Sequence, residues 1–292
     1  MAEAPGHQLG QIVGGVLEAA VEPVLRGIAN ELRLYLDTKG GRPARPGRKV
    51  TWTDELGNAH DLDFVLERGG TDEKTGVPAA FIEAAWRRYT KHSRNKVQEI
   101  QGALIPLRTT HRRAGPFVGA ILAGDFTKGS IDQLTSNGFA VAYIPTQQVA
   151  GAFAEFGIEI GLPEDTPDEV LAGEVEKFEK LDAAERRRLA GEVGRKGSAQ
   201  LAVFAIKLRG AIQRRVESVT VVALHGELKQ FEAVPDAIQA IRDYSRDARS
   251  LPFQRFELTV RYSNGDRITA EFAESSAAIE FLETFRGQSI IP

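Results

Sequence analysis

Residues 81–96, FIEAAWRRYTKHSRNK, set one carboxylate, Glu83, inside an apolar run and follow it with Arg87, Arg88, Lys91, Arg94 and Lys96. A carboxylate in such surroundings is costly unless it is paired or bound to a cation. Twenty residues earlier, HDLDFVLE carries Asp61 and Asp63. Alternation places Glu83, Ala85 and Arg87 on one face of a strand and Ile82, Ala84 and Trp86 on the other, while Asp61 and Asp63 share a face of the preceding strand. If the two strands are neighbours, an aspartate sits beside Glu83. Two carboxylates at adjacent strand ends, next to a cationic surface, suit a divalent cation bridging a phosphodiester. The cation would neutralise phosphate and supply an activated water, and Arg87, Arg88, Lys91 and Arg94 would clamp the polyanion.

Plainer roles compete for several of these groups. Asp61 lies close to a turn and is expected to be solvated. Glu83 could pair with Arg87, and Glu67, on the Asp63 face, could be a strand-end charge. Glu18 and Glu22 fall on the polar face of the first helix, where solvation is the expectation. Arg42, Arg45, Arg48 and Lys49, on a Gly/Pro-rich loop, could reach a nucleic-acid backbone or form a flexible loop. Trp86 and Tyr89 read as packing residues.

The elements that position these residues are legible as periodicities. Apolar positions from Leu9 to Ile28 predict a helix over Gln8–Asp37. KVTWTD and DLDFVLER read as a hairpin across ELGNAH, and PAAFIEAAW as a third strand. A helix over Thr90–Leu107 puts Val97, Ile100, Leu104 and Leu107 on one face. PFVGAILAG reads as a strand buried on both faces, SIDQLTSNG as a helix stopped by Gly138, FAVAYIP as a strand and TQQVAGAFAEF as a helix. This α-β-β-β-α-β-α-β-α order predicts an α/β domain with a mixed sheet flanked by helices, over residues 1–160. Residues 161–216 read as a charged helical connector, punctuated by Gly191, Gly194 and Gly197. Residues 217–292 read as a small C-terminal α/β domain: a strand region over 218–231, a helix over 235–248, a type I′ hairpin at Asn264-Gly265, and a final helix with Ser275 as its N-cap.

Composition narrows the chemistry. With no cysteine there is no disulfide, thiolate nucleophile or cysteine zinc site, which is compatible with a cytoplasmic location. The five histidines, His7, His60, His92, His111 and His225, are scattered, so the donor inventory points to a hard, oxygen-bound ion such as Mg²⁺. No stretch approaches twenty uncharged apolar residues, which excludes a membrane span, and Glu18, Glu22 and Pro23 interrupt the early apolar run that resembles a signal peptide. The net charge of −3 hides an asymmetry: residues 84–113 hold eight Lys/Arg against the single acid Glu99. That segment is built to meet something negative.

An Asp on one strand, then Glu-x-Lys on the next, then a helix, is the signature of the PD-(D/E)XK nuclease superfamily. Over roughly residues 8–145 the chain resembles its restriction-endonuclease branch, with DFVLE (63–67) as the Asp element and IEAAW (82–86) as the Glu element. The resemblance implies a restriction-endonuclease-like αβββαβ core and Mg²⁺ held by Asp63 and Glu83. It also implies hydrolysis of double-stranded DNA in a restriction-type role, by a homodimer. The sequence departs from the pattern at the lysine, whose position is taken by Ala85. Three readings stay open. In the first, the lysine's role has passed to Lys96, which lies about 60° from the buried centre of its helix at 100° per residue, with Arg87 second. In the second, Ala85 marks an inactivated variant. Or the domain binds nucleic acid without cutting it, as a DNA-binding or assembly module.

Overall fold

The computed structural model describes residues 4–112, 114–224, 227–244 and 253–286, which fall into two units, Met1–Ile212 and Gln213–Pro292. His225 and the end of the helix expected over 235–248 lie outside the described residues.

Helix α1 (Pro5–Glu31) buries Leu9, Val13, Leu17, Val21, Leu25 and Ile28 along one stripe. It stops six residues earlier than the periodicity predicts. Arg33 turns into the left-handed region at φ 54°, the Leu34 N–H reaches the Ala29 carbonyl (2.8 Å) and the Arg33 N–H that of Asn30 (3.3 Å). This is a Schellman closure built without glycine. It frees Tyr35–Thr38 to become strand β1.

Strands β2 (Val50–Thr53) and β3 (Ala59–Leu62) form the expected hairpin, but as a separate two-stranded sheet. Its turn is closed by the Asp54 carboxylate, which accepts the Leu56 and Asn58 N–H groups and contacts His60 at 3.0 Å. The chain bends at Asp63 and re-enters the main sheet as β4 (Phe64–Arg68). The strand read as continuous over DLDFVLER is therefore two strands in two sheets, hinged on the candidate ligand. Then come β5 (Val77–Arg87), α2 (Ser93–Thr110), β6 (Phe117–Gly124), α3 (Lys128–Ser136), β7 (Ala140–Pro145) and α4 (Thr146–Ala154). The five-stranded sheet runs β1-β4-β5-β6-β7; its first two pairings are antiparallel and its last two parallel. Gly138 ends α3 in the left-handed conformation, as expected.

One sheet face packs on α2, α3 and the hairpin, with Val97, Ile100, Leu104 and Leu107 all buried there. The opposite face packs on α1 and on α5 (Asp168–Glu179), α6 (Ala183–Lys196) and α7 (Ser198–Ile212). These last three occupy the segment read as a connector. Instead, Leu171, Val175, Leu189, Val193, Leu201, Phe204 and Leu208 complete the core around α1. Gly197 separates α6 from α7, whereas Gly191 and Gly194 sit inside α6.

The second unit is a four-stranded antiparallel sheet, β11-β10-β8-β9, formed by β8 (Val216–Ala223), β9 (Glu227–Phe231), β10 (Phe256–Tyr262) and β11 (Arg267–Phe272), with α8 (Val234–Arg242) and α9 (Ser275–Glu283) sharing its core. The β10–β11 turn corrects one expectation. Gly265 alone takes positive φ, the Gly265 N–H reaches the Tyr262 carbonyl and the Tyr262 N–H that of Asp266. That is a three-residue loop with a glycine bulge, not a two-residue type I′ turn. The N-cap of α9 is Glu274, with Ser275 the first helical residue. Among the described residues no helix is long and apolar enough to cross a membrane.

Candidate functional site

The β4–β5 register begins with Phe64 paired to Ile82, and the next residues, Asp63 and Glu83, meet just beyond it. The two residues are laced through their backbones. The Asp63 N–H donates to Glu83 Oε1 (3.2 Å), and the Ala84 N–H donates to Asp63 Oδ2 (2.8 Å). Burial pushes both carboxyls above their ordinary range. For Glu83, only 7% exposed, burial, the nearby Asp63 charge and, more weakly, Glu18 lift it to about 8, against the pull of Lys96 and the Asp63 N–H. Asp63 is raised by burial against the Ala84 N–H, Lys96 and Lys39. A cation bound between them would favour both ionised forms and oppose these shifts.

The pair opens into a cleft of about 820 Å³ whose lining includes Glu18, Lys96, Arg87 and Tyr89. Its α1 wall carries a pattern that the sequence reading missed: Gly6, Gly10, Gly14 and Glu18, spaced by four, lie on one helical stripe. A Cβ at Gly10 or Gly14 would meet nothing within 4 Å, so packing does not demand glycine at either. These glycines keep the cleft wide. Glu18, expected to be solvated, is half-buried in the lining, and burial and then Asp63 raise its pKa. Glu22 instead pairs with Arg26 on the surface.

Lys96 approaches from the first turn of α2, its ammonium 3.3 Å from Glu99 and its charge felt by both Asp63 and Glu83. Arg87 leans on the same Glu99 (3.6 Å), so it does not supply the Glu83 ion pair considered above. Ala85 shares the Glu83 face and lines the cleft, but is 3% exposed within the core that α2 covers. The basic run is partly satisfied internally. Arg88 donates to the Pro163 carbonyl (3.2 Å) and stacks over Tyr89, Lys91 pairs with Glu164, and Arg94 is exposed.

Other candidates lie apart from the pair. Asp61 is solvated, held by Lys49 and Thr51. Glu67 is no strand-end charge. It is fully buried and grips Arg42 through both oxygens (2.6 and 3.0 Å), while Asp37 holds Arg42 and Arg45. Arg42 and Arg45, for which a backbone contact and a flexible loop were both open, are thus structural, because a buried guanidinium needs carboxylate partners.

The donor chemistry fits a hard cation in a specific way. Among the described residues no three His, Cys, Asp or Glu side chains assemble into a metal cage. Mg²⁺, however, commonly takes one or two carboxylates and completes its shell with water and substrate phosphate. Asp63 and Glu83 match that demand.

No family model and no curated protein matches the chain. Among solved structures, the crystal structure of AF1548, a protein of unknown function, is similar at 11% identity and a TM-score of 0.28, over 66% of this chain and 98% of that one.

Proposed function

We propose that this chain is a Mg²⁺-dependent endonuclease of restriction-endonuclease type, hydrolysing phosphodiesters of double-stranded DNA. One observation carries the reading: a buried Asp63–Glu83 pair, raised in pKa, facing an open cleft beside Lys96. Asp63 and Glu83 would hold the ion, which when bound offsets phosphate charge and acidifies a water. Lys96 stands in for the lysine that Ala85 lacks, biasing the Glu83 side of the cleft positive. Arg94, with Arg88 and Lys91 once freed from Pro163 and Glu164, would hold the backbone. Nicking of supercoiled plasmid in Mg²⁺ or Mn²⁺ tests this. Asp63→Asn and Glu83→Gln should each lower the rate at least about 100-fold, on the scale of a lost electrostatic contact in the transition state. Cleavage indifferent to both would remove the proposal.

The second reading is a non-catalytic DNA-binding or assembly module, favoured by Ala85 and by the internal partners of Arg88 and Lys91. It predicts no cleavage by this chain or by Ala85→Lys, with salt-sensitive duplex binding retained.

A further inference from the structure

A second lysine stands beside the acid pair, and strand register places it there. Thr38 pairs with Phe64, and Phe64 with Ile82. Both ladders end there, and Lys39, Asp63 and Glu83 are the next residues of the three adjacent segments; Lys39 lines the neighbouring cavity with Asp37 and Asp72, at the edge of the cleft that holds the pair. Directly opposed residues of antiparallel strands share a face and stand about 4.5–5.5 Å apart at Cβ. Continued by one residue past the last pair, that register sets Lys39 near Asp63 on the side away from Glu83, and its charge acts on that carboxyl. It is exposed, and Gly40 and Gly41 follow it, so no bulky neighbour in sequence shields it. Lys96, Arg87, Lys91 and Lys49 all have carboxylate partners. Among the described residues Lys39 makes no hydrogen bond or ion pair, though its charge is felt at Asp63 and Glu18. An ammonium one strand from Asp63 and two from Glu83, yet bonded to neither, is placed to meet an anion that arrives with a cation.

We propose that Lys39 is the anion-binding residue of this site, holding a phosphoryl oxygen of a ligand whose charge is shared with a cation on Asp63 and Glu83. The inference rests on reading that pair as a cation site, and goes beyond it by assigning the phosphate contact to the end of β1 rather than to α2.

The test uses the full chain with Mn²⁺ and inorganic pyrophosphate as probes, and wild type, Lys39→Gln and Lys39→Arg as proteins. Paramagnetic titration reads Mn²⁺ alone, and calorimetry reads pyrophosphate at saturating Mn²⁺. Lys39→Gln should weaken pyrophosphate by about tenfold or more, the scale of one lost charge contact. Its Mn²⁺ affinity should hold or rise, because a repelling charge has gone, and Lys39→Arg should stay within a few-fold of wild type. Pyrophosphate binding unchanged by Lys39→Gln overturns the inference, whatever DNA cleavage shows. Loss of pyrophosphate binding in a chain that cuts no DNA keeps the inference and removes the nuclease reading. Wild type that binds no Mn²⁺ removes both. Loss of Mn²⁺ binding in Lys39→Gln would mean a disturbed fold and overturns the assignment, with thermal unfolding of the variant as the control.

Discussion

The Asp63 N–H donates to Glu83, and after burial the aspartate's charge is the largest influence lifting the Glu83 carboxyl to about 8. The consequence for stability has a definite sign. An unfolded chain releases this proton near 4.5, whereas the folded chain keeps it to about 8. Folding is therefore penalised progressively as pH rises between those values, and the full penalty stands above the upper one. Glu83→Gln should match wild type near pH 5 and exceed it by roughly 1–3 kcal/mol at pH 8.5 without divalent ions. Both tryptophans, Trp52 and Trp86, lie in the first unit, so urea unfolding followed by their fluorescence reports on that unit alone. Equal differences at the two pH values would show that Glu83 does not titrate in this range.

The glycine stripe separates stability from use of the cleft. Gly10 and Gly14 sit in a regular helix with open space where a side chain would go. Alanine at either position should stabilise the protein by about 0.5–1 kcal/mol, through helix propensity and a less flexible unfolded chain. Leucine should keep most of that gain while intruding into the cleft. Gly14→Leu is thus expected to melt no lower than wild type and to lose DNA binding or cleavage. Unimpaired activity in such a variant would place the substrate elsewhere.

Much of this site was legible in the sequence. The carboxylate pair and the contribution of Lys96 followed from alternation and helical phase, since a strand or helix fixes side-chain direction locally. What escaped depended on chain closure. Arg33 ends α1 without the usual glycine, so Leu32, Leu34 and Leu36 extend the helical pattern although their period of two suits the strand that carries the chain to Lys39. The bend at Asp63 was hidden because Leu62 and Phe64 are both apolar and buried, each against a different face of the main sheet. Arg42 and Arg45 read as loop cations because their partners Asp37 and Glu67 are brought in only by the β1–β4 pairing. The four-residue spacing from Gly6 to Glu18 was present throughout, but a glycine stripe acquires meaning only when a wall stands opposite.

Charge pairing within the basic run makes an unusual prediction for an acid. Glu164 neutralises Lys91 at the rim of the cleft, with both side chains about half exposed. Such a pair adds little stability, about 0–1 kcal/mol, so removing the acid should leave the fold intact. Glu164→Gln frees one cation for phosphate. Duplex affinity should rise a few-fold, and the slope of log K against log salt should steepen by up to about 0.9, the value of one added phosphate contact. Arg94→Ala should flatten it by a similar amount. Fluorescence anisotropy across a salt series measures both. Slopes unmoved by either change would take α2 and its flanking turn out of the interface.

Ala85 and Lys96 can be set against each other directly. Both lie beside Glu83 and line the same cleft, one from the strand and one from the helix packed over it. If an ammonium near Glu83 is what the chemistry requires, its origin is secondary to its presence. Lys96→Ala should then lower plasmid nicking by at least about tenfold. Adding Ala85→Lys to that variant should recover much of the loss, whereas Ala85→Lys alone should change the rate little. The new lysine costs stability, since its stem leaves a site that now packs an alanine, so rates need comparison at a temperature where every variant is folded. Full activity of Lys96→Ala would strip that residue of its role and leave Lys39 as the cation beside the acids. A large gain from Ala85→Lys alone would instead identify alanine at this position as the reason the site is weak, because a cation that Lys96 already provides could not be worth supplying twice.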